Sequence, residues 1–310
     1  MRIPDFFIVG APKAGTSALF VHLGEHPEIC VSSNKEPHFF GRDQHLLGHE
    51  RRTLEEYLAL FGEAEAAVRV GEASTNYLYS RTAADEIKAF SPDASIIVML
   101  RDPVAVMHAY HGSMVAGGFE PIPNFGDALV AETERRAGRS LPNRRGIRES
   151  LYYRDLADFE PHLRRFLDVF GADRVRVILF DDWISASEGV YRDTLSFLGV
   201  RPDFRPQLGV VNPSKRVRSV RLHNFVLEPP PRAQAVVRAL LPDSVRLRLH
   251  YRLRSLNVRV APRKAIDPAL LRELRAEFAP KVERLGDLIG RDLSAWNLGR
   301  LAASEIGHGD

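Results

Sequence analysis

The chain's 310 residues are 45% hydrophobic and 27% charged with 22 Gly and 20 Pro, the profile of a folded soluble protein and not of a disordered, collagenous or low-complexity one. No stretch approaches the roughly 20 apolar residues that a membrane-spanning helix requires, and a lone cysteine, Cys30, can close no internal disulfide, which points to a reducing, cytoplasmic setting. The net charge of +3 conceals an asymmetry: residues 201–264 carry 15 Lys and Arg against 3 Asp and Glu, a local +12 against −9 for the remainder. Such a segment faces water or meets an anionic partner, so contact with a carrier or a peripheral membrane surface through it stays open, while nucleic acid is not among the expected partners.

In chain order, the apolar run Phe6 to Val9 is too short for a signal-peptide core and has only Arg2 as a basic leader, so it reads as a buried strand over Asp5 to Gly10. A helix follows from Thr16, with Ala18, Leu19, Val21 and Leu23, and ends at His26-Pro27. Further strands are expected at Val68 to Glu72, Ser95 to Leu100 and Val175 to Phe180. Each is nearly continuous in its apolarity, which suits strands buried on both faces of a parallel sheet in an α/β fold. Residues 114–147 show no sustained period and read as an excursion from the sheet. Leu151 to Phe170 carries Leu156, Phe159, Leu163, Phe166 and Phe170 at helical steps, and a second helix runs from Val190 to Leu198 before Gly199. Residues 227–265, opening on Glu228-Pro-Pro-Pro, read as an insertion. The last helix, Pro268 to Ile289, closes at Gly290. With no repeat and no clear linker, residues 1–310 read as a single domain in which 114–147 and 227–265 are substrate-side insertions.

The strongest local feature is VGAPKAGTSAL, Val9 to Leu19, where a buried strand enters a glycine-bearing turn and then a helix. That arrangement aims unpaired backbone N–H groups and the positive helix end at one point, which suits a phosphate. Gly15 permits close backbone approach, Lys13 supplies a point charge, and Thr16 and Ser17 offer hydroxyls. An ordinary strand-to-helix turn would need only a capping hydroxyl, so the convergence of these residues favours a phosphate site. The nucleoside triphosphate loop, GxxxxGK followed by Ser or Thr, places its lysine after the second glycine. Here Thr16 takes that position and Lys13 lies inside the loop.

PKAGTSAL resembles the 5′-phosphosulfate loop of the sulfotransferase family, PKxGTxxL, and further segments agree in order with the Golgi and bacterial sulfotransferases similar to heparan sulfate sulfotransferases. Asn34 to Phe40 resembles their KExHFF segment, Gly71 to Leu78 their GExSPxYL segment, and Leu100 to Val104 their LRDPxxR segment; Leu151 to Phe159 and Leu285 to Trp296 also match. The resemblance covers most of residues 5–215 and returns at 267–297. It implies a three-layer α/β sandwich with a central, mostly parallel sheet, similar to the P-loop nucleotide kinases and decorated with helical insertions. It also implies transfer of a sulfuryl group from 3′-phosphoadenosine 5′-phosphosulfate (PAPS) to a hydroxyl, or less readily an amine, of a small-molecule or glycan acceptor. Adenosine 3′,5′-bisphosphate (PAP) is the product, and no metal takes part.

By the same resemblance, Lys13 stabilises charge on the leaving phosphate, and the N–H groups of Ala14, Gly15, Thr16 and Ser17 hold the 5′-phosphate. Glu36 matches the carboxylate that takes the acceptor's proton, with His38 as an orienting donor or alternative base, sharing its face if the segment is extended. Arg101, at the carboxyl end of a strand, matches the 3′-phosphate ligand, although an ion pair with Asp102 is a competing role. Val106 and Ala109 stand where the family has an arginine and a serine, so part of that site is rebuilt; Lys215, Arg216, Arg218, His111 and Ser113 are candidates for replacement contacts. Ala73 and Gly41 replace a lysine and an aspartate of the heparan-type enzymes, which argues against the same polysaccharide acceptor. Tyr152 and Tyr153 fit a helical core as well as a pocket wall. An ATP- and magnesium-dependent small-molecule kinase and a non-catalytic nucleotide-binding protein are the alternative functions.

Overall fold

The apolar runs assemble into the centre of the computed structural model, which describes residues 2–44, 51–62, 64–140, 149–206, 215–217, 258–260 and 264–298. Five strands, β1 (Phe6–Gly10), β2 (Ile29–Val31), β3 (Arg69–Ala73), β4 (Ser95–Leu100) and β5 (Val175–Leu179), form one parallel sheet in the order β2-β3-β1-β4-β5. Every residue of β1 and β4 is buried, as the unbroken apolarity of these runs requires of strands covered on both faces.

The helices are α1 (Thr16–Gly24), α2 (Leu54–Leu58), α3 (Ala83–Phe90), α4 (Pro103–Gly117), α5 (Phe125–Arg136), α6 (Tyr153–Leu156), α7 (Phe159–Phe170), α8 (Phe180–Ser185), α9 (Ser187–Leu198), α10 (Pro268–Ile289) and α11 (Ser294–Asn297). Helix α1 packs on β1, β2 and β3, and α7 packs on β4 and β5. The Tyr191 hydroxyl of α9 donates to the His22 carbonyl of α1 at 2.9 Å, joining these two helices, while α7 packs against α3 and α10. The α/β three-layer expectation therefore holds. No helix among the described residues is long and apolar enough to cross a membrane.

Several elements depart from the expected pattern, each for a visible reason. Strand β2 is a three-residue edge strand, too short for periodicity to register. The expected helix over Leu151 to Phe170 is broken between α6 and α7: His162 Nε2 lies 2.7 Å from the Asp155 carbonyl, and Lys281 pairs with Asp158 at 2.9 Å. The segment 114–147 is not a featureless excursion. Helix α4 runs on to Gly117, and α5 starts at an Asn124 cap whose side chain accepts from the Asp127 N–H. Helix α5 escapes notice in the sequence because its inner face is partly charged: Arg135 is fully buried, paired at 2.8 Å with buried Glu120, which also accepts from the Tyr153 hydroxyl at 2.7 Å.

Residues 141–148 lie outside the described residues, as does 227–265 apart from β7 (Val258–Val260) and residues 264–265. That strand pairs antiparallel with β6 (Lys215–Val217), and β6 lies against α4.

The tightest steric constraint in the sheet is at Gly71 on β3, where an added Cβ would stand 2.4 Å from the Phe6 ring of β1. Gly71→Ala should destabilise the protein by at least about 2 kcal/mol, as overpacking in a rigid core does, measured as a lower urea midpoint at unchanged m-value.

Candidate active site

Three features meet along the carboxyl edge of the sheet, in the order set by β3, β1 and β4. After β1 the chain turns through residues 11–15 into α1. Lys13 has φ 65° and Gly15 has φ 94°; at Gly15 an added Cβ would lie 3.1 Å from the Phe180 ring and 3.3 Å from Met99 Cε. Only glycine meets both conditions, left-handed backbone and close packing. Helix α1 has no side-chain cap. The Ala14 N–H closes the turn onto the Ala11 carbonyl at 3.3 Å, and among the described residues the N–H groups of Gly15, Thr16 and Ser17 have no protein acceptor. Three donors and a positive helix end thus face one point.

At the end of β4, Arg101 stacks its guanidinium 4.5 Å from the centroid of the Phe180 ring and donates to the Lys13 carbonyl at 3.4 Å. It is not spent on Asp102. That carboxylate caps α4 through the Val104 N–H at 2.9 Å and takes the Arg275 fork from α10 at 2.7 and 2.5 Å. Val106 and Ala109 are buried in the core side of α4. His111 lies 2.9 Å from the Ile122 carbonyl through Nε2, and the Ser113 hydroxyl donates to the Ala109 carbonyl, so both are engaged away from the loop. Lys215 and Arg216 lie on β6 beside α4, with side chains outside the described residues, as is Arg218.

At the end of β3, the segment 34–40 crosses as an irregular loop. It is not extended: Glu36 and His38 have φ 61° and 50°. The two side chains meet all the same, His38 Nε2 lying 3.5 Å from Glu36 Oε2. The Glu36 carboxylate accepts from the Thr75 N–H at 2.8 Å, the Thr75 hydroxyl at 3.1 Å and the Lys35 ammonium at 2.5 Å. Thr75 also ties this corner to the phosphate loop, since its carbonyl oxygen is 2.9 Å from the point where a Gly10 Cβ would stand. Burial lowers the His38 pKa, the Glu36 charge opposes this, and Lys35, Arg52 and Arg51 reinforce it; the imidazole is neutral at neutral pH.

Residues that sequence reasoning passed over complete this corner. Tyr110 of α4 is pushed up to about 12 by burial, against a hydrogen bond with Ser150, with the Glu36 charge adding to the rise. Glu72, fully buried on β3, accepts from the hydroxyls of Tyr57, Tyr77 and Ser74 at 2.8, 2.9 and 2.7 Å. Its sequence signals are a charge inside an apolar strand and its place as the acidic residue of the segment Gly71 to Leu78. Tyr153 proves to be core and Tyr152 lies under the Arg136 guanidinium. The closing motif is structural as well: Trp296 Nε1 donates to Asp181 at 2.6 Å and Arg291 pairs with Asp182 at 3.0 Å, fastening α10 and α11 to α8.

Burial raises the Glu72 pKa from 4.5 to about 7, against the three hydroxyl bonds and with help from the Glu36 charge. The folded protein thus keeps a proton that the unfolded chain releases, so the contribution of Glu72 to stability is fully present below pH 4.5 and is lost as pH rises through about 7. In urea unfolding across pH 4.5 to 8, the stability difference between wild type and Glu72→Gln should shift against the wild type by on the order of 3 kcal/mol as pH rises.

No family model matches the chain. The crystal structure of a sulfotransferase from Alicyclobacillus acidocaldarius is 31% identical, aligns with 96% of this chain and 99% of its own, and has a TM-score of 0.71. Carbohydrate sulfotransferase 15 of Mus musculus is 30% identical over 148 residues, 34% of this chain and 26% of that protein. Heparan sulfate glucosamine 3-O-sulfotransferase 3B1 of Mus musculus is 28% identical over 200 residues, 64% of this chain and 47% of that protein. The chain thus spans from about a quarter to about half of the length of these curated relatives. Matched at that identity over nearly its whole length by the bacterial structure, the chain belongs to the PAPS-dependent sulfotransferase family.

Proposed function

We propose that this chain transfers a sulfuryl group from PAPS to a hydroxyl of a small-molecule or glycan acceptor. One observation carries the reading: the strand order β3-β1-β4 lines up Glu36, the Lys13 loop and Arg101 along a single edge, with Thr75 and the Lys13 carbonyl as the joints between them. The residues present fit the donor. Three N–H groups without acceptors, a glycine that tolerates no side chain and a stacked guanidinium form a site for a nucleotide with phosphates at two positions. When bound, PAPS supplies an activated sulfuryl group on a phosphate leaving group.

The N–H groups of Gly15, Thr16 and Ser17 bind the 5′-phosphate, and Lys13 places a positive charge where negative charge grows on the leaving oxygen. Arg101, held flat on Phe180, binds the 3′-phosphate, with Lys215 and Arg216 of β6 as further cations on that side. Glu36 accepts the proton of the acceptor hydroxyl, and its orientation is set by Thr75 and Lys35 before any acceptor arrives. Neutral His38 orients the acceptor hydroxyl or passes on the proton. Ala73, buried at the end of β3, and Gly41 offer the acceptor neither the cation nor the carboxylate of the heparan-type enzymes, which favours a different acceptor.

Calorimetric titration should find PAP binding tightly without metal, with little response to ADP or to ATP with magnesium, and Arg101→Ala should cut the preference for PAP over ADP at least tenfold. Binding of ATP with magnesium in preference to PAP would sink the assignment. In transfer assays with labelled PAPS, Lys13→Ala should lower kcat by about 100- to 1000-fold, as loss of a transition-state charge partner does. Glu36→Gln should slow transfer comparably while leaving PAP affinity within twofold.

A further inference from the structure

The buried carboxylate of Glu72 touches nothing that reacts, yet its hydrogen bonds lead straight to the segment that carries Glu36 and His38. Two of its three hydroxyl donors are also acceptors. The Ser74 hydroxyl receives the His38 N–H at 3.1 Å, and the Tyr77 hydroxyl receives the N–H groups of Phe39 and Phe40 at 2.9 and 3.2 Å. A hydroxyl has one hydrogen, and an ionised carboxylate can only accept. Ser74 and Tyr77 spend their hydrogens on Glu72, which leaves their lone pairs to three consecutive backbone N–H groups; above about pH 7, where Glu72 is ionised, its bonds can run only this way. The third donor, Tyr57, has its hydroxyl on Glu72 at 2.8 Å and reaches the segment only by packing, its ring stacked 4.2 Å from that of Phe39.

What this comb holds is a backbone that the chain would not adopt unaided. Glu36 and His38 both lie at positive φ, where residues with side chains are strained, and such geometry persists only when its surroundings over-determine it. Besides the bonds of the Glu36 carboxylate, the segment is fixed by the Glu36 N–H on the Ala73 carbonyl at 2.8 Å, by Arg52 and Arg51 donating to the Pro37, Phe39 and Phe40 carbonyls at 2.7, 3.2 and 3.3 Å, and by the three N–H groups that end on Ser74 and Tyr77.

We propose that Glu72 is a positioning residue of the acceptor side: through the hydroxyls of Ser74 and Tyr77 it fixes the backbone of residues 38–40 and so sets the juxtaposition of the Glu36 carboxylate and the His38 imidazole. The proposal rests on the assignment of these two residues to the acceptor's proton. It concerns the polarity of a buried network and not bulk, so same-shape variants separate the two.

The test uses the full chain and no acceptor. Amide hydrogen exchange at His38, Phe39 and Phe40 and the pH titration of the His38 ring are followed by NMR in Glu72→Gln, Tyr77→Phe, Ser74→Ala and Tyr57→Phe, with PAP affinity measured alongside. Tyr77→Phe and Glu72→Gln should speed exchange at Phe39 and Phe40 at least tenfold and move the His38 titration up toward 6.5; Ser74→Ala should do so at His38 alone. Tyr57→Phe, which loses a bond to Glu72 but no link to the segment, should change exchange by less than threefold. Equal loosening in Tyr57→Phe, or amides and imidazole that do not move in Tyr77→Phe and Ser74→Ala, would overturn the proposal even if Glu72→Gln fails to fold. Failure of the donor assignment would show separately, as wild-type protein that does not bind PAP.

Discussion

Burial of the central strands on both faces is the constraint from which the rest of the molecule follows. A polar side chain inside β1 or β4 would lose its water with no partner to replace it, a cost of several kcal/mol. Those strands are therefore apolar but for Ser95 at the start of β4, whose hydroxyl accepts from Arg69, and chemistry collects where they stop. The carboxyl ends are the open side, because there the chain leaves the sheet with unpaired donors and room for charge. Lys13, Glu36 and Arg101 come from three separate stretches of sequence and are neighbours because β3, β1 and β4 are neighbours.

Glu72 is the exception that the strand rule allows. It lies inside β3 with no access to water, and its carboxylate is matched by three hydroxyls instead of a cation. An ion pair would have met the same need with less directional control. Hydroxyls are both donors and acceptors, so a carboxylate satisfied by them passes its demand outward, bond by bond, to the next shell. Around this network Phe7, Phe39, Phe40, Tyr57, Tyr77 and Phe90 form a continuous aromatic cluster, which supplies the rigidity on which directed hydrogen bonds depend.

The legible parts of the sequence were those with a single dominant cause. Strands β1, β4 and β5 and helix α10 are set by unbroken apolarity or a long apolar stripe, and they stand within a residue of where the pattern places them. The loop at Lys13 was legible because a left-handed glycine, an internal lysine and a hydroxylated helix start coincide. What stayed hidden depends on pairs distant in sequence. Burial of Arg135 in α5 makes sense only beside Glu120, and Asp102 is free of Arg101 only because Arg275 occupies it. The contact of His38 with Glu36 follows from two left-handed residues, a conformation that neither residue type announces. Resemblance gave roles to Glu36 and His38 and touched Glu72 only as part of a matching segment, whereas the way Thr75 and Glu72 hold the corner in place had to be seen in three dimensions.

The Arg275 fork on Asp102 carries a consequence for the order in which the protein comes together. The two residues are 173 positions apart, and the aspartate is at once the cap of α4 and the immediate neighbour of Arg101. As the chain emerges from the ribosome, the five strands are complete once Leu179 has appeared, yet the foot of α4 has its guanidinium partner only after α10 has been made. A nascent chain can therefore own a finished sheet and a finished turn at Lys13 while the corner beside Arg101 still lacks its Arg275 contact. Completion of the edge that carries Lys13 and Arg101 is in this sense gated by the last long helix, a delay written into the topology and not into either of these residues.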